Sequence, residues 1–280
     1  MSDRGLNSEV GIGVTDELSL RVSVASLVRV LFKHPQDNQT MLALERRATL
    51  REDKMERRVE IKSQPFGGAI HIHDLDLLRN IIGDFHFDSE ESRSEQDFRL
   101  FIRPSAWDMV RQFCLQHLND SSALVLESDP RRELTEEFAD VLDISLHQDQ
   151  YTYRTVGTVI ENYPSATDNF FARNFPTNRI YRIFEAHILD PSLANELVFR
   201  SEGCSNDDLQ TRAFEDSRNG GNGWACASLT LPLQDIIAFY KKSLPETLNR
   251  PVLFGTHQLD ETVAAILDGV RVPKYKRLVL

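Results

Sequence analysis

Three carboxylates crowd one stretch of predicted helix: Glu133, Glu136 and Glu137. At about 100° per residue, Glu133 and Glu137 stack at i, i+4, and Glu136 sits beside them. Like charges so placed repel by a few tenths of a kcal/mol per pair. A divalent cation offsets that repulsion. Mg²⁺ suits the pattern because it takes a few carboxylate oxygens together with waters and substrate phosphates. The same acids also fit a solvated helix face, with Arg131 and Arg132 as local partners. The helix has a clear start, with Asp129 at the N-cap and Pro130 in the first turn. Leu134, Phe138, Val141 and Leu142 fall on another face and can anchor it to a sheet.

The elements that must carry this helix follow from periodicity and turn chemistry. Residues 1–18 read as a loose polar tail, and residues 19–33 and 40–47 as strands joined by the turn residues 34–39. A charged loop is expected over 51–58. A strand over 59–72 follows, interrupted by the Gly67-Gly68 turn. Residues 75–82 and 104–118 read as helices, 88–96 as a solvated loop and 98–102 as a short strand. Beyond the acidic helix, strands are expected over 150–161 and 178–189, and a flexible polar loop over 201–223. A strand over 225–233 then runs into a helix. One more amphipathic helix over 261–270 and a basic end over 274–277 close the chain.

The run Arg132-Glu133-Leu134-Thr135-Glu136-Glu137 matches R-E-U-x-E-E, with U a bulky aliphatic residue, and so resembles the core of the Nudix box. Upstream, Gly67-Gly68-Ala69-Ile70 resembles the Gly-Gly turn that opens the box. Five residues separate Gly68 from Asp74, where the family pattern places a glutamate. Two departures stand out. In the family seven residues separate that acid from the arginine, whereas 57 lie between Asp74 and Arg132. The box would therefore hold an insertion of about 50 residues, over about 75–122, unless Glu127 takes the place of the first acid. The family's box-ending glycine is Ala139 here, so the helix is expected to run on through Val141 and Leu142.

The resemblance implies an α+β protein: a Nudix-like α/β/α sandwich with a mixed central sheet over 19–242, the insertion within its box, and a short helical C-terminal extension over 243–280. It implies Mg²⁺- or Mn²⁺-dependent hydrolysis of a pyrophosphate bond in a nucleoside diphosphate linked to another moiety, by attack of water on phosphorus. Glu133, Glu136 and Glu137 would hold the metal, with a backbone carbonyl of Gly68 or Gly67 as a further ligand. Glu136, Glu137 and Arg132 would be the catalytic set, with Arg132 bracing the box. Arg46, Arg47, Phe66 and Gly67 would face the substrate. Acids on a distal loop, Glu202, Glu215 or Asp216, would be candidates for the general base. A homodimer would be in keeping with the family. The second reading is a catalytically silent Nudix-like module that senses a nucleotide or binds a protein. The third is an unrelated α+β chain with an acidic helix.

Composition sets the outer bounds. The chain has 280 residues, 41% of them hydrophobic, and 43 acids against 32 bases give a net charge of −11. Such a field disfavours long nucleic acids and anionic membranes as partners. There is neither an apolar run of 18 residues nor a signal-like start, so the expectation is a cytoplasmic protein with no membrane span. Cys114, Cys204 and Cys226 are too scattered for a disulfide framework. His71, His73 and Asp74 could suit zinc but lack a nearby further ligand. Tyr151, Tyr153, Phe170 and Phe171 could stack on a base or belong to the core.

Overall fold

The computed structural model describes residues 18–53, 56–120, 122–127, 129–167, 172, 175–243 and 252–279. The expected tail lies outside them except for Leu18, which is buried, and Phe170 and Phe171 also lie outside. The chain runs through β1 (Leu20–Lys33), β2 (Thr40–Asp53), β3 (Glu56–Gln64), α1 (Leu75–Ile82), β4 (His86–Phe87), α2 (Glu90–Glu95), β5 (Arg99–Ile102) and α3 (Trp107–His117). It continues through α4 (Arg131–Leu142), β6 (Tyr151–Glu161), β7 (Thr177–Ile188), α5 (Pro191–Glu202), α6 (Asn206–Arg218) and β8 (Trp224–Pro232). Last come α7 (Leu233–Ser243), β9 (Val252–Phe254), β10 (His257–Leu259), α8 (Val263–Ile266) and β11 (Tyr275–Val279). The fold is mixed α+β, built on one mixed sheet.

The apolar run of β1 is buried on both faces, as expected of a central strand. One edge pairs in parallel with β7 from Arg21 to Leu31. The other edge takes three partners in succession. Val30 to Lys33 pair with β2, Val28 and Ala25 bridge Phe66 and Ala69, and Leu20 to Ser23 pair with β5. β2 therefore leaves β1 after Ala43 and continues with β3, from Glu45 opposite Gln64 to Asp53 opposite Glu56. The Gly67-Gly68 turn fills the fork where β1 and β2 part.

Helices cover both faces. Leu134, Phe138 and Leu142 of α4 and Leu193 and Leu197 of α5 pack with Val28, Val30, Phe66 and Phe184. On the opposite face, Ile236 and Tyr240 of α7 and all of α8 pack with Leu27, Leu42, Leu44 and Leu231. A third apolar cluster joins α1, α3 and β5 to Val22, Val24 and Ile180.

The segment expected to be an insertion, over about 75–122, is closed at its base. Ile72 bridges Leu126 in antiparallel fashion, His73 N donates to Val125 O at 2.9 Å, and Glu127 N donates to His71 O at 3.0 Å. The two ends of 73–125 are thus joined at one rung, while β5 within the segment pairs with β1, and the Gly-Gly turn and α4 meet despite the long separation in sequence.

Several sequence expectations are corrected. Within the charged stretch 51–58, residues 51–53 end β2 and pair with 56–58 of β3, and residues 54 and 55 lie outside the described residues. The stretch 88–96 contains α2, and Asp88 is buried against Arg21, with Nε–Oδ2 and Nη2–Oδ2 distances of 2.9 and 2.6 Å. The polar segment 201–223 holds α6, because Ser205 and Asp208 form a capping box and Leu209 and Ala213 bury against Ala48, Ala225 and Ala227. The C-terminal segment is more strand than helix. β11 pairs with β6, β10 pairs with β3, and the expected amphipathic helix is the fully buried single turn α8. No helix among the described residues is long and apolar enough to cross a membrane.

Candidate functional site

The acidic helix starts one residue later than its sequence suggests. Asp129 Oδ1 accepts from Arg131 N at 3.0 Å, and Pro130 takes the capping position. The helix runs through Val141 and Leu142 as expected and ends at Asp143, which adopts the left-handed conformation (φ 52°) more usual for glycine. Leu134 and Phe138 clamp it to the sheet, the Phe138 ring lying 5.1 Å from that of Phe66. The first-turn acid is consequently pinned against the Gly-Gly turn.

Glu133 is 8% exposed and its carboxylate lies against Gly68, where a Cβ would overlap Oε2. Burial pushes its carboxyl up to about 7, Arg132 opposing and Glu127 and Glu136 adding to the rise. One turn on, burial also pushes Glu137 well above the usual carboxylate range. Glu45 and Glu133 reinforce the shift and Arg47 resists it. Glu137 Oε2 is buried without a hydrogen-bond partner. Glu136 is exposed and reaches only Arg132.

Arg132 organises the rest. Its Nε and Nη2 donate to the two oxygens of Glu127, each at 2.8 Å, and Nη1 donates to Glu136 Oε2 at 2.7 Å. Nη2 also contacts Glu133 Oε1 and lies 3.2 Å from His71 Nε2. His71, Glu127 and Glu133 bring ligand atoms within 4.8 Å of one another, a spacing that fits a metal, but the guanidinium already supplies their positive charge. The divalent-ion candidate is therefore the other side of the helix turn, Glu133 Oε2 and Glu137. The hard oxygen donors, the orphaned Glu137 Oε2 and the carboxylate pocket left by Gly68 all fit Mg²⁺ or Mn²⁺.

Among the other expected residues, Arg47 and Gly67 line a cleft of about 500 Å³ beside the turn. Arg47 is bonded to Glu45 at 2.6 Å and attracts Glu137, so it belongs to both the cleft and the acidic site. Arg46 points to the opposite side of β2, where it contacts Cys204 O and Asn206 Oδ1, and is removed from the candidate set. Phe66 is removed as well, since it has no exposed surface and serves as core. The carbonyl of Gly68 accepts from Ser26 N at 3.0 Å, so the sheet already engages it. Asp74 is not at the acidic helix: it caps α1, accepting from Leu77 N at 2.8 Å, and Glu127 is the acid that meets Arg132. Asp216 receives Gly223 N at 2.8 Å and closes a turn, while Glu202 is exposed at the end of α5, and neither lines the cleft. Glu215 on α6 does not line it either.

Sequence reasoning missed Glu45, which is fully buried and accepts from Gln64 Nε2 at 2.7 Å. Its signal is a charge at alternate spacing with Arg47 inside an apolar strand. It also missed the acids Asp260 and Glu261, which the C-terminal segment brings to the cleft. Comparison with family models, curated proteins and solved structures returns no match.

Proposed function

We propose that this protein is a divalent-metal-dependent hydrolase that cleaves the pyrophosphate bond of a nucleoside diphosphate linked to another moiety, the activity implied by its resemblance to the Nudix hydrolases. One observation carries the reading. The Glu133 carboxylate lies against Gly68, and Glu137, a helical turn on and repelled by it, has one buried oxygen without a partner. Two largely buried carboxylates that each raise the cost of ionising the other are stabilised by a cation.

Glu133 and Glu137 would hold Mg²⁺ or Mn²⁺, with Glu136 at the exposed rim. When bound, such an ion would supply charge neutralisation to the pyrophosphate and acidity to a water. Arg132 keeps Glu133 and Glu136 in place by fastening them to Glu127, and so acts as a positioning residue. Arg47 offers a guanidinium to a phosphate oxygen at the mouth of the cleft. The unpartnered Glu137 Oε2 would be the oxygen turned to the ion.

The test offers nucleotide sugars, ADP-ribose, dinucleoside polyphosphates, nucleoside triphosphates and dinucleotide cofactors with Mg²⁺ or Mn²⁺. Metal-dependent turnover that is lost in Glu137→Gln, with the fold retained by circular dichroism, supports the hydrolase. No turnover together with no metal binding by calorimetry overturns it. The second reading, a non-hydrolytic binding module, is favoured by Arg132, a resident cation at the centre of His71, Glu127 and Glu133. It predicts ligand binding that does not depend on metal.

A further inference from the structure

Side chains alternate along β2, so while Arg47 lines the cleft, Arg46 reaches a second pocket on the other face of the β2–β3 ribbon. Arg46 stands directly opposite Ser63 in the ladder and shares its face with Ser63, Ile61 and Val59. The β9–β10 hairpin joins β3 through Leu259 opposite Ser63, and adds Leu253 and His257 to the lining. The pocket has a volume of about 210 Å³. It is separate from the acidic corner, and the hydrolase reading makes no use of it.

Two buried nitrogens of its lining, Arg46 Nε and His257 Nδ1, have no hydrogen-bond partner among the described residues. Arg46 is 3% exposed, and its bonds go to neutral acceptors, Cys204 O and, at 3.4 Å, Asn206 Oδ1. Among the described residues no carboxylate lines the pocket. Asp208 and the Cys204 thiol attract the guanidinium, but burial outweighs them and lowers its pKa. Asp208 is itself engaged by Ser205 N and Oγ at 2.8 and 2.6 Å. A cation held out of water without a counter-charge is costly, and an anion entering the pocket relieves that cost. Burial and Arg46 together push the His257 imidazole below its ordinary value, so at pH 7 it is neutral and can offer an N–H without a charge.

We propose that this pocket binds a small monocarboxylate, its carboxylate on Arg46 Nε and His257 Nδ1 and its short apolar chain against Val59, Ile61 and Leu253. Charge selects the head group. Arg46 is the one cation of the lining among the described residues, and it balances a single negative charge. A phosphate dianion brings a second charge with no cation to meet it. Size selects the tail. At roughly 30 Å³ for each water-sized group, the pocket holds about seven such groups, enough for a carboxylate and a few methylenes. Apolar contact is on offer as well, since Leu253 is 65% exposed and Val59 and Ile61 are only partly buried.

The test titrates the wild-type chain with butyrate, acetate, butyramide and inorganic phosphate at pH 7. Two-dimensional ¹⁵N NMR follows the Arg46 Nε–H resonance, assigned by its loss in Arg46→Lys, and calorimetry gives the affinities. Expected are a saturable shift of that resonance with butyrate and binding about tenfold weaker for acetate, which lacks two methylenes. Butyramide, the uncharged isostere, should bind at least about tenfold more weakly than butyrate, and phosphate should also bind more weakly. Arg46→Met, which replaces the guanidinium by an apolar chain, should lose butyrate binding at least about tenfold while folding as the wild type does by circular dichroism. The NMR shift in the wild-type chain decides the matter even if that variant does not fold. An Arg46 resonance that stays unmoved by butyrate overturns the proposal. So does butyramide or phosphate binding as tightly as butyrate, or a folded Arg46→Met that binds it unchanged.

Discussion

Glu127 and Arg132 meet in a two-pronged ion pair, Nε to Oε1 and Nη2 to Oε2 both at 2.8 Å, that spans the join between the insertion and α4. The planar fork of arginine matches the carboxylate edge, which fixes orientation as well as charge. The pair sets the first turn of α4, and hence Glu133, at a fixed height above the Gly-Gly turn.

Arg132→Ala should therefore unfasten three acids at once. Chemical denaturation should show a loss of roughly 1–3 kcal/mol, because Glu127 and Glu133 keep their burial and lose their partner. Arg132→Lys keeps the charge but not the fork, and should fall between the wild type and alanine. A lysine variant as stable as the wild type would show that charge alone matters.

The two glycines of the turn should respond differently. At Gly67 φ is +141° and a Cβ would strike the backbone carbonyl of Ser26, so Gly67→Ala should cost about 2 kcal/mol or more. At Gly68 the obstacle is the end of the Glu133 side chain, which can swing aside. Gly68→Ala should change stability by less than about 1 kcal/mol while weakening Mg²⁺ binding at least about tenfold. Urea denaturation and metal titration of the same two variants separate the effects.

How much of this was legible in the sequence depended on whether a residue's role was local. The acidic helix, the Gly-Gly turn and most strands follow from spacing, because 3.6- and 2-residue periods record which face is buried. The partners across the chain do not. Asp74 has the family spacing from Gly68 but spends its carboxylate on the nearest helix, whereas Glu127 meets Arg132 only because residues 73–125 close on themselves. Arg46 and Arg47 are indistinguishable as neighbours in sequence, yet the strand pleat sends them to opposite faces. Polar composition hid α6, whose burial rests on only two small contacts, Leu209 and Ala213.

Glu127 and Asp74 can be told apart by experiment. Asp74→Ala removes a helix cap and should cost about 1 kcal/mol with no change in turnover or metal affinity. Glu127→Gln frees Arg132 and should lower both. Thermal melts and metal titrations on the two variants provide the comparison, and the opposite pattern would return Asp74 to the candidate site.

The raised carboxyls also predict a pH dependence. Burial holds the Glu133 carboxyl at about 7, against 4.5 for an ordinary glutamate, and Glu137 shifts in the same direction. The folded state then binds protons that the unfolded chain has released. The contribution to stability is full below about pH 4.5 and is lost as the pH rises through about 7. Metal-free protein should therefore weaken between pH 5 and 8 in urea, and Mg²⁺ added at pH 8 should recover part of the loss by binding the ionised pair. Glu133→Gln should flatten the slope; a slope that steepens in that variant would assign the effect elsewhere.

The bridge between Ile72 and Leu126 has a consequence for descent. Because the insertion begins and ends at a single rung, its length is not tied to the distance between the Gly-Gly turn and α4. Connections beyond that rung can lengthen or shorten without re-registering Glu133 against Gly68, provided β5 keeps its pairing with β1. Variation in the insertion and constancy of the acidic corner can then be inherited separately.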